Sequence, residues 1–594
     1  MRSRVLLRIA TLLVLCVVGP VVEASAQHYR FGLPMPNEAT TNGHWFGSSC
    51  SNFQAAITVE PPLRPGWHSV IQIAALPPNQ AAMLMVGASA SNWLGAPLPL
   101  PLASLGLPGC NLYVSPDITI GFPSGNGRAM ASFSVPPHPA LAAQPLFFQA
   151  VSNQPGLNAG GVVYGRGYAT RIEPFAATTS WRTTISQHGI TFTFAQPTQC
   201  GQFVNGDWFV IGTPQVVGMS PPSTTVSGRV INGAMINPDP STQNQGYDTD
   251  LFDPQHYSHS RNVAWNLSPS NPLQLQPNQS LIKSISNLNA TLVPALKTCA
   301  VLTVLDRVPQ NGAFRPAYAG ADHQVRHDVR MIDWSKLHGL AAPPGRPDPV
   351  VWATKFERPW LDHAPGWKVR YLHPADNMPD YGRDLASLYN EAALMCNTSM
   401  NWADKRELTI HLVQIGIDFY GNKKGGAFWK GIGGHGSGRK LPILFAGALL
   451  GDQQMLNVGQ DYPSMRNLDG TFTTHFGEDS QTFYVEQTST TAINWGYGGY
   501  APLHLGMPEF GHSHVHSPNL DVVGWTTNSY RLCCTANAWI GAVLCARIMG
   551  LVDEWNHPAL FDYTDRYVTI ETSGWTKAWS GWCEDMWDTY RPVF

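Results

Sequence analysis

The stretch GGHGSGRKLPILFAGALLGD, Gly433 to Asp452, sets a glycine-rich turn with one histidine and two cations directly before an apolar helical run. Two nucleotide motifs lie close to it: GIGGHG, Gly431 to Gly436, matches GxGxxG, and Gly433 to Lys440 approaches GxxxxGK[ST]. The dinucleotide motif needs a preceding strand, whereas the residues upstream read as a helix ending near Gly421. The phosphate loop needs Lys and then Ser or Thr after its last glycine, but here Arg439, Lys440 and Leu441 follow. Neither nucleotide site is expected. A helix N-terminus still carries free N–H groups and a partial positive charge, so His435, Arg439 and Lys440 at its entry predict a neighbouring anion. The plain alternative is Ser437 as a helix cap with both cations in solvent.

Outward from this helix the same period continues. YGRDLASLYNEAALMCN, DKRELTIHLVQIGIDFYGN, YRLCCTANAWIGAVLCARIMGL and PALFDYTDRYV place apolar residues three and four apart, the spacing of an amphipathic helix. The small residues Ala446, Gly447 and Ala448 allow close helix contact. Toward the N-terminus the period falls to two, in HSVIQIAAL, AAMLMVG, RAMASFSV and LFFQAV and again in TFTFAQP, GDWFVIG, TVSGRVI and KTCAVLTVL, with turn residues between. Charge changes with the period: residues 28–300 hold 19 charged side chains and residues 301–594 hold 54. The expected organisation is multidomain: a β-sandwich-like domain at 44–172, a second all-β domain at 178–315, and a helical domain at 330–594. GLAAPPGRPDP, Gly339 to Pro349, reads as a linker or long loop.

The first residues, MRSRVLLRIATLLVLCVVGPVVEASAQ, have the basic, apolar and small-x-small order of a signal peptide, with cleavage expected near Ala26. No later run is apolar for the roughly 18 residues a membrane span needs, so the protein is expected to be secreted, periplasmic or at the cell surface. Without that leader 34 basic and 39 acidic residues remain, which gives no reason to expect nucleic acid as a partner. Nine cysteines also remain. Cys50 with Cys110, and Cys200 with Cys299, are the expected pairs in an oxidising compartment, and the adjacent Cys533 and Cys534 are expected to point to different faces of one helix.

WKGIGGHGSGRKLPILFAGALLGD, YRLCCTANAWIGAVLCARIMG and WNHPALFDYTDRYV resemble the helical region of large secreted bacterial proteins that look like α/α-toroid polysaccharide lyases. LPLPLASLGLPGCNLYVSPD is similar to a β domain common in exported planctomycete and myxobacterial proteins. The resemblance implies an α/α-toroid or partial toroid and β-elimination on an acidic, uronate-containing glycan. That reaction neutralises a carboxylate, removes the proton beside it and protonates the leaving oxygen, tasks suited to Arg, Asn, His and Tyr. The residues of those types in loops of the helical half are Tyr484, His475, His514 and His435 for proton transfer. Arg439, Lys440, Asn377, Tyr381, Glu478, Trp429 and Trp525 are the expected substrate contacts, with Arg383 and Asp384 beside Tyr381. No cofactor is required by this chemistry.

Other readings stay open. A glycoside hydrolase would use two carboxylates, from Glu478 or Asp479 with Glu509 or Asp384. In HSHVH, residues His512, His514 and His516 face one way if extended and would suit a divalent metal such as zinc, with His256 and His259 as another pair; Asp248, Asp250 and Asp253 could hold calcium, although an ordinary Asp-rich turn fits them better. No GxSxG occurs, which disfavours a serine hydrolase. A secreted protein that binds glycan without cleaving it is the remaining class.

Overall fold

A computed structural model describes residues 43–594 apart from residues 52, 61–62, 65–67, 123–126, 137–140, 143, 173–176, 250–255, 290–292, 430, 432, 462–473, 487–499, 512–520, 522 and 525–528. The expected signal peptide lies outside the described residues. The chain divides into two compact units, Met1–Ala176 and Ala177–Phe594; β-rich structure comes first and helices dominate the C-terminal part.

Two antiparallel sheets, with two short two-stranded ribbons beside them in the sequence, make up the described strands of the first unit. One has five strands in the order Gly43–Phe46, Val162–Arg171, Pro145–Asn153, Ala82–Gly87 and Ile118–Phe122; the other has three, Ala129–Ser134, His68–Ala74 and Ala56–Glu60. Alternation of side chains along each strand brings Ile57, Ile71, Ala131 and Phe133 of the small sheet into one apolar cluster with Leu84, Phe148 and Ala150 of the large one. Phe133 and Phe148 meet edge to face at 6.4 Å across it. Gln149 lies inside with no exposure, but its amide is fully used: it accepts from Tyr113 N and donates to the carbonyls of Asn111 and Gly165. Cys50 and Cys110 are bridged, as their spacing predicted.

The second unit begins with an eight-stranded sheet in the order Ala234–Ile236, Gln279–Ser286, Leu296–Leu305, Trp208–Ile211, Ile190–Gln202, Gln215–Ser220 and Leu273–Gln274, with Thr179–Gln187 also paired to Ile190–Gln202. The central strand Leu296–Leu305 is apolar on both sides. Ala300, Leu302 and Val304 join Ile190, Phe192 and Cys200, whereas Cys299 and Val301 face Tyr318, Leu361 and Leu372 from the connection to the helices. This second cluster gives sheet and helical region a common core. It also corrects the second expected disulfide: Cys200 and Cys299 are free and buried, because they point to opposite faces of one sheet with the strand Trp208–Ile211 between theirs.

The helices are α1 (Pro349–Phe356), α2 (Gly382–Cys396), α3 (Trp402–Lys424), α4 (Lys440–Leu450), α5 (Gly477–Gln481), α6 (Ser529–Cys533), α7 (Ala536–Ile548), α8 (Pro558–Ile570) and α9 (Gly581–Tyr590), with single-turn helices between some of them. All of α4 is buried, as an all-round apolar helix requires. It packs tightly on α3, where a Cβ at Gly416 would lie 2.5 Å from Ala446 Cβ. The helix expected over 530–551 is two, α6 and α7. Cys533 and Cys534 are bridged to each other rather than pointing to different faces; successive side chains on a continuous helix diverge by about 100°, and here the helix is interrupted beside the bridge, where Thr535 takes φ −132°, ψ −81°.

Candidate functional site

The turn that opens α4 is closely packed: every residue from Gly433 to Lys440 is buried. Its glycines are there because backbone meets backbone. A Cβ at Gly434 would lie 1.7 Å from the Cys534 carbonyl oxygen, one at Gly438 2.6 Å from Ala386 Cα in α2, and one at Gly477 of α5 2.7 Å from the Gly436 carbonyl carbon. Gly433 and Gly438 also take positive φ, which L side chains resist.

The two cations at the helix entry are engaged inside the fold. Arg439 has no exposure. It donates from Nε and Nη2 to the Asp362 carboxylate at 2.9 and 3.1 Å and from Nη1 to the carbonyls of His435 and Ser437. His373 Nε2 lies 2.8 Å from the same carboxylate. Burial would raise the Asp362 carboxyl, but Arg439 and His373 overcome it and hold it well below the usual range. Lys440 donates to Asp479 and to the Trp555 carbonyl, with the rings of Phe476 and Trp555 5.4 and 5.3 Å from its ammonium. Burial, then Arg439, pushes the His435 imidazole down to about 3, so it is neutral. Burial, then Asp479, raises Glu478 to about 7. The anion beside this helix start is thus supplied by the protein's own carboxylates, and neither cation reaches solvent.

The other expected residues fall into separate places. His475 contacts the Ala427 carbonyl through Nδ1, and the buried Trp429 stacks on Phe476 at 5.9 Å. Asn377 is buried and donates to the carbonyls of Lys355 and Arg358. Half-buried Tyr484 donates to Asp562, and burial followed by that hydrogen bond raises its phenol. Glu509 is buried against Arg531 at 2.9 Å. His259 packs on Trp265, and Asp248 pairs with Arg229. His512, His514, His516, Trp525, Asp250 and Asp253 lie outside the described residues. Among the described residues no group of three or more His, Cys, Asp or Glu is placed to hold a metal.

Among the described residues, Tyr381 alone of the expected contacts meets the glycine turn from a half-exposed position. Its hydroxyl accepts from Gly434 N at 3.1 Å and its ring lies 6.4 Å from that of His435. Around it the fold assembles a face. Arg383 lies 3.7 Å from the ring of Trp579 and 5.5 Å from that of Tyr381, donates to Asp384 and gives Nη1 to the Cys533 carbonyl at 2.7 Å. Tyr530 borders Gly433. Asn537, at the start of α7, ties down the loop before α9: it donates to the Trp575 carbonyl and accepts from Trp579 N. Trp575 and Trp579 are 56% and 40% exposed. Burial raises the Asp384 carboxyl against the pull of Arg383. The two tryptophans were missed in the sequence, although GWTKAWSGW, three Trp in a turn rich in Gly, Ser and Thr, is an unusual loop.

No family matches the chain, and no curated protein matches it in sequence. The solved S-layer protein SbsC, domains 7, 8 and 9, is 10% identical over 44% of this chain and 62% of that one, with a TM-score of 0.10. Trypsin-activated alpha-2-macroglobulin from Escherichia coli is 10% identical over 68% of this chain and 31% of its own, with a TM-score of 0.12. The chain spans less than two thirds of either structure, and scores this low define no common fold.

Proposed function

We propose that this chain is an exported carbohydrate-active protein whose helical half, arranged as a partial α/α-toroid, binds an acidic glycan at the face formed by Tyr381, Arg383, Asp384, Tyr530, Trp575 and Trp579. One observation carries the reading: the exposed ring of Trp579 lies 3.7 Å from the Arg383 guanidinium, and Asn537 ties Trp579 and the exposed Trp575 to the start of α7. Exposed indoles suit the apolar faces of sugar rings, and a guanidinium suits a uronate carboxylate. β-Elimination is the activity this face supports. Arg383 meets the uronate carboxylate, and the Tyr381 phenol, backed by the neutral His435, stands beside it as the proton-transfer group.

Binding without cleavage is the second reading. It is favoured by the Tyr381 phenol, which burial raises despite the hydrogen bond from Gly434, making proton abstraction harder. Incubation with polygalacturonate, alginate and glycosaminoglycans, followed by ultraviolet absorbance and calorimetry, tests both. An unsaturated uronate product lost in Tyr381→Phe establishes elimination. Binding without product, weakened in Trp575→Ala and Trp579→Ala, leaves the second reading standing. Failure of every polymer to bind overturns the proposal.

A further inference from the structure

Cys533 and Cys534 are half-buried, whereas Cys50, Cys110 and the five free cysteines are all buried. Among the described residues the bridge between these neighbours is therefore the sulfur a solvent-borne thiol meets first. It also sits at a structural junction. Only Cys534 and Thr535 separate α6 from α7, and the apolar period runs through both. Their break coincides with the bridge, and Thr535 leaves the helical region at φ −132°, ψ −81°.

The break redirects two carbonyl groups. In an unbroken helix the Cys533 carbonyl would accept from the N–H four residues on, at Asn537; here it accepts from Arg383 Nη1. The Cys534 carbonyl lies against Gly434, where no side chain fits. Tyr530 O takes both Cys534 N and Thr535 Oγ1, which holds the junction in place. At the break the Cys533 carbonyl is thus an acceptor for Arg383, which also donates to Asp384 and lies over the Trp579 ring.

We infer that the Cys533–Cys534 bridge is a positioning element for Arg383, and that the face takes acidic glycan tightly only while the bridge is closed. This rests on the reading of that face as a glycan site. Opening needs two electrons and two protons, supplied by two equivalents of a small thiol: the S–S bond breaks, Cys533 and Cys534 become thiols, and the reductant leaves as its own disulfide. The freed backbone can then return to helix across 533–537, and the Cys533 carbonyl passes from Arg383 to Asn537 N–H.

The test uses the full chain with its bridges mapped by mass spectrometry, before and after mild reduction that leaves Cys50–Cys110 closed. The polyuronate bound best by the oxidised protein is titrated by calorimetry. Reduction, Cys533→Ser with Cys534→Ser, and Arg383→Ala are each expected to weaken binding about tenfold, with little further loss when they are combined. Hydrogen exchange gives a readout independent of ligand: the Asn537 amide is expected to exchange more slowly once the bridge is open. Unchanged affinity together with unchanged exchange at Asn537 overturns the inference, as does finding both thiols free in the exported protein. If no polyuronate binds the oxidised protein, the glycan reading of the face fails, and exchange at Asn537 alone shows whether the bridge governs the junction.

Discussion

Residues 43–172 and residues 177–594 bury different chemistry. Among the described residues of the first unit no Asp, Glu, Lys or Arg is buried; its interior is apolar with Ser69, Ser115, Gln149, Ser152 and Thr170, and one bridge crosses it. The second unit places Arg315 between Asp207 and Asp418, Arg439 on Asp362, Lys440 on Asp479 and Arg531 on Glu509, all inside. Apolar burial is non-directional and tolerates adjustment. A buried ion pair adds little net stability over an apolar replacement, but it penalises any arrangement that separates its partners. The second unit therefore has a means of fixing the register of its glycine turn that the first neither has nor needs.

The largest expected effect breaks one of those pairs. Asp362→Ala leaves the Arg439 guanidinium buried with only carbonyl acceptors and is expected to destabilise the second unit by about 3–5 kcal/mol. Denaturant titration followed by hydrogen exchange of peptides from each unit checks this. Asp362→Leu combined with Arg439→Met is expected to recover most of the loss. If the single and double variants are equally destabilised, packing at these positions, and not charge, is what the fold requires.

The matching change in the first unit is smaller. Cys50→Ala with Cys110→Ala opens a loop of sequence separation 60 and is expected to cost about 2–4 kcal/mol. Peptides from residues 43–172 should lose exchange protection while those from α4 keep theirs. Equal loss in both units would mean that their stabilities are coupled, and the contrast between them would fail.

How much of this was legible in the sequence follows from the same contrast. Period-two runs, the Cys50–Cys110 pair and the helices around Gly416 and Ala446 depend on local pattern, and they could be read. The partners of Arg439 and Lys440 are Asp362 and Asp479, far along the chain in other elements; a helix start with two cations looks alike whether its anion is a ligand or a carboxylate of the fold. One local sign was available. KLPILFAGALL is apolar on every face, so its helix had to be central, and cations at its first turn had to be buried with it. The Arg383–Trp579 face was hidden for the opposite reason, since its parts come from the start of α2, from α6 and from the loop before α9, with no shared spacing.

The smallest effect per unit change is set by pH, and it has opposite signs at two buried groups. His363 is 2% exposed, meets the rings of Tyr247 and Tyr318, and among the described residues has no hydrogen-bond partner on either ring nitrogen; burial lowers it to about 4. Above about pH 6.5 the imidazole is neutral in both folded and unfolded chains. Below that the unfolded chain takes up a proton that the folded one refuses, so stability falls as pH falls from 6.5 toward 4, by about 1.4 kcal/mol per unit. Glu391 in α2 is raised by burial to about 8. The folded chain keeps its proton where the unfolded chain, with a value near 4.5, has released it, so stability falls as pH rises from 4.5 toward 8 with a similar slope. Relative to wild type, His363→Phe should therefore gain stability on the acid side and Glu391→Gln on the alkaline side. Unfolding measured across this range for all three proteins checks both signs. Among the described residues the first unit buries no Asp, Glu, Lys or Arg, so exchange protection in its peptides, corrected for intrinsic rate, should stay level between pH 4 and 8. Parallel pH profiles for the three proteins would show that neither group titrates differently in the fold, and that buried charge does not set the second unit apart in this respect.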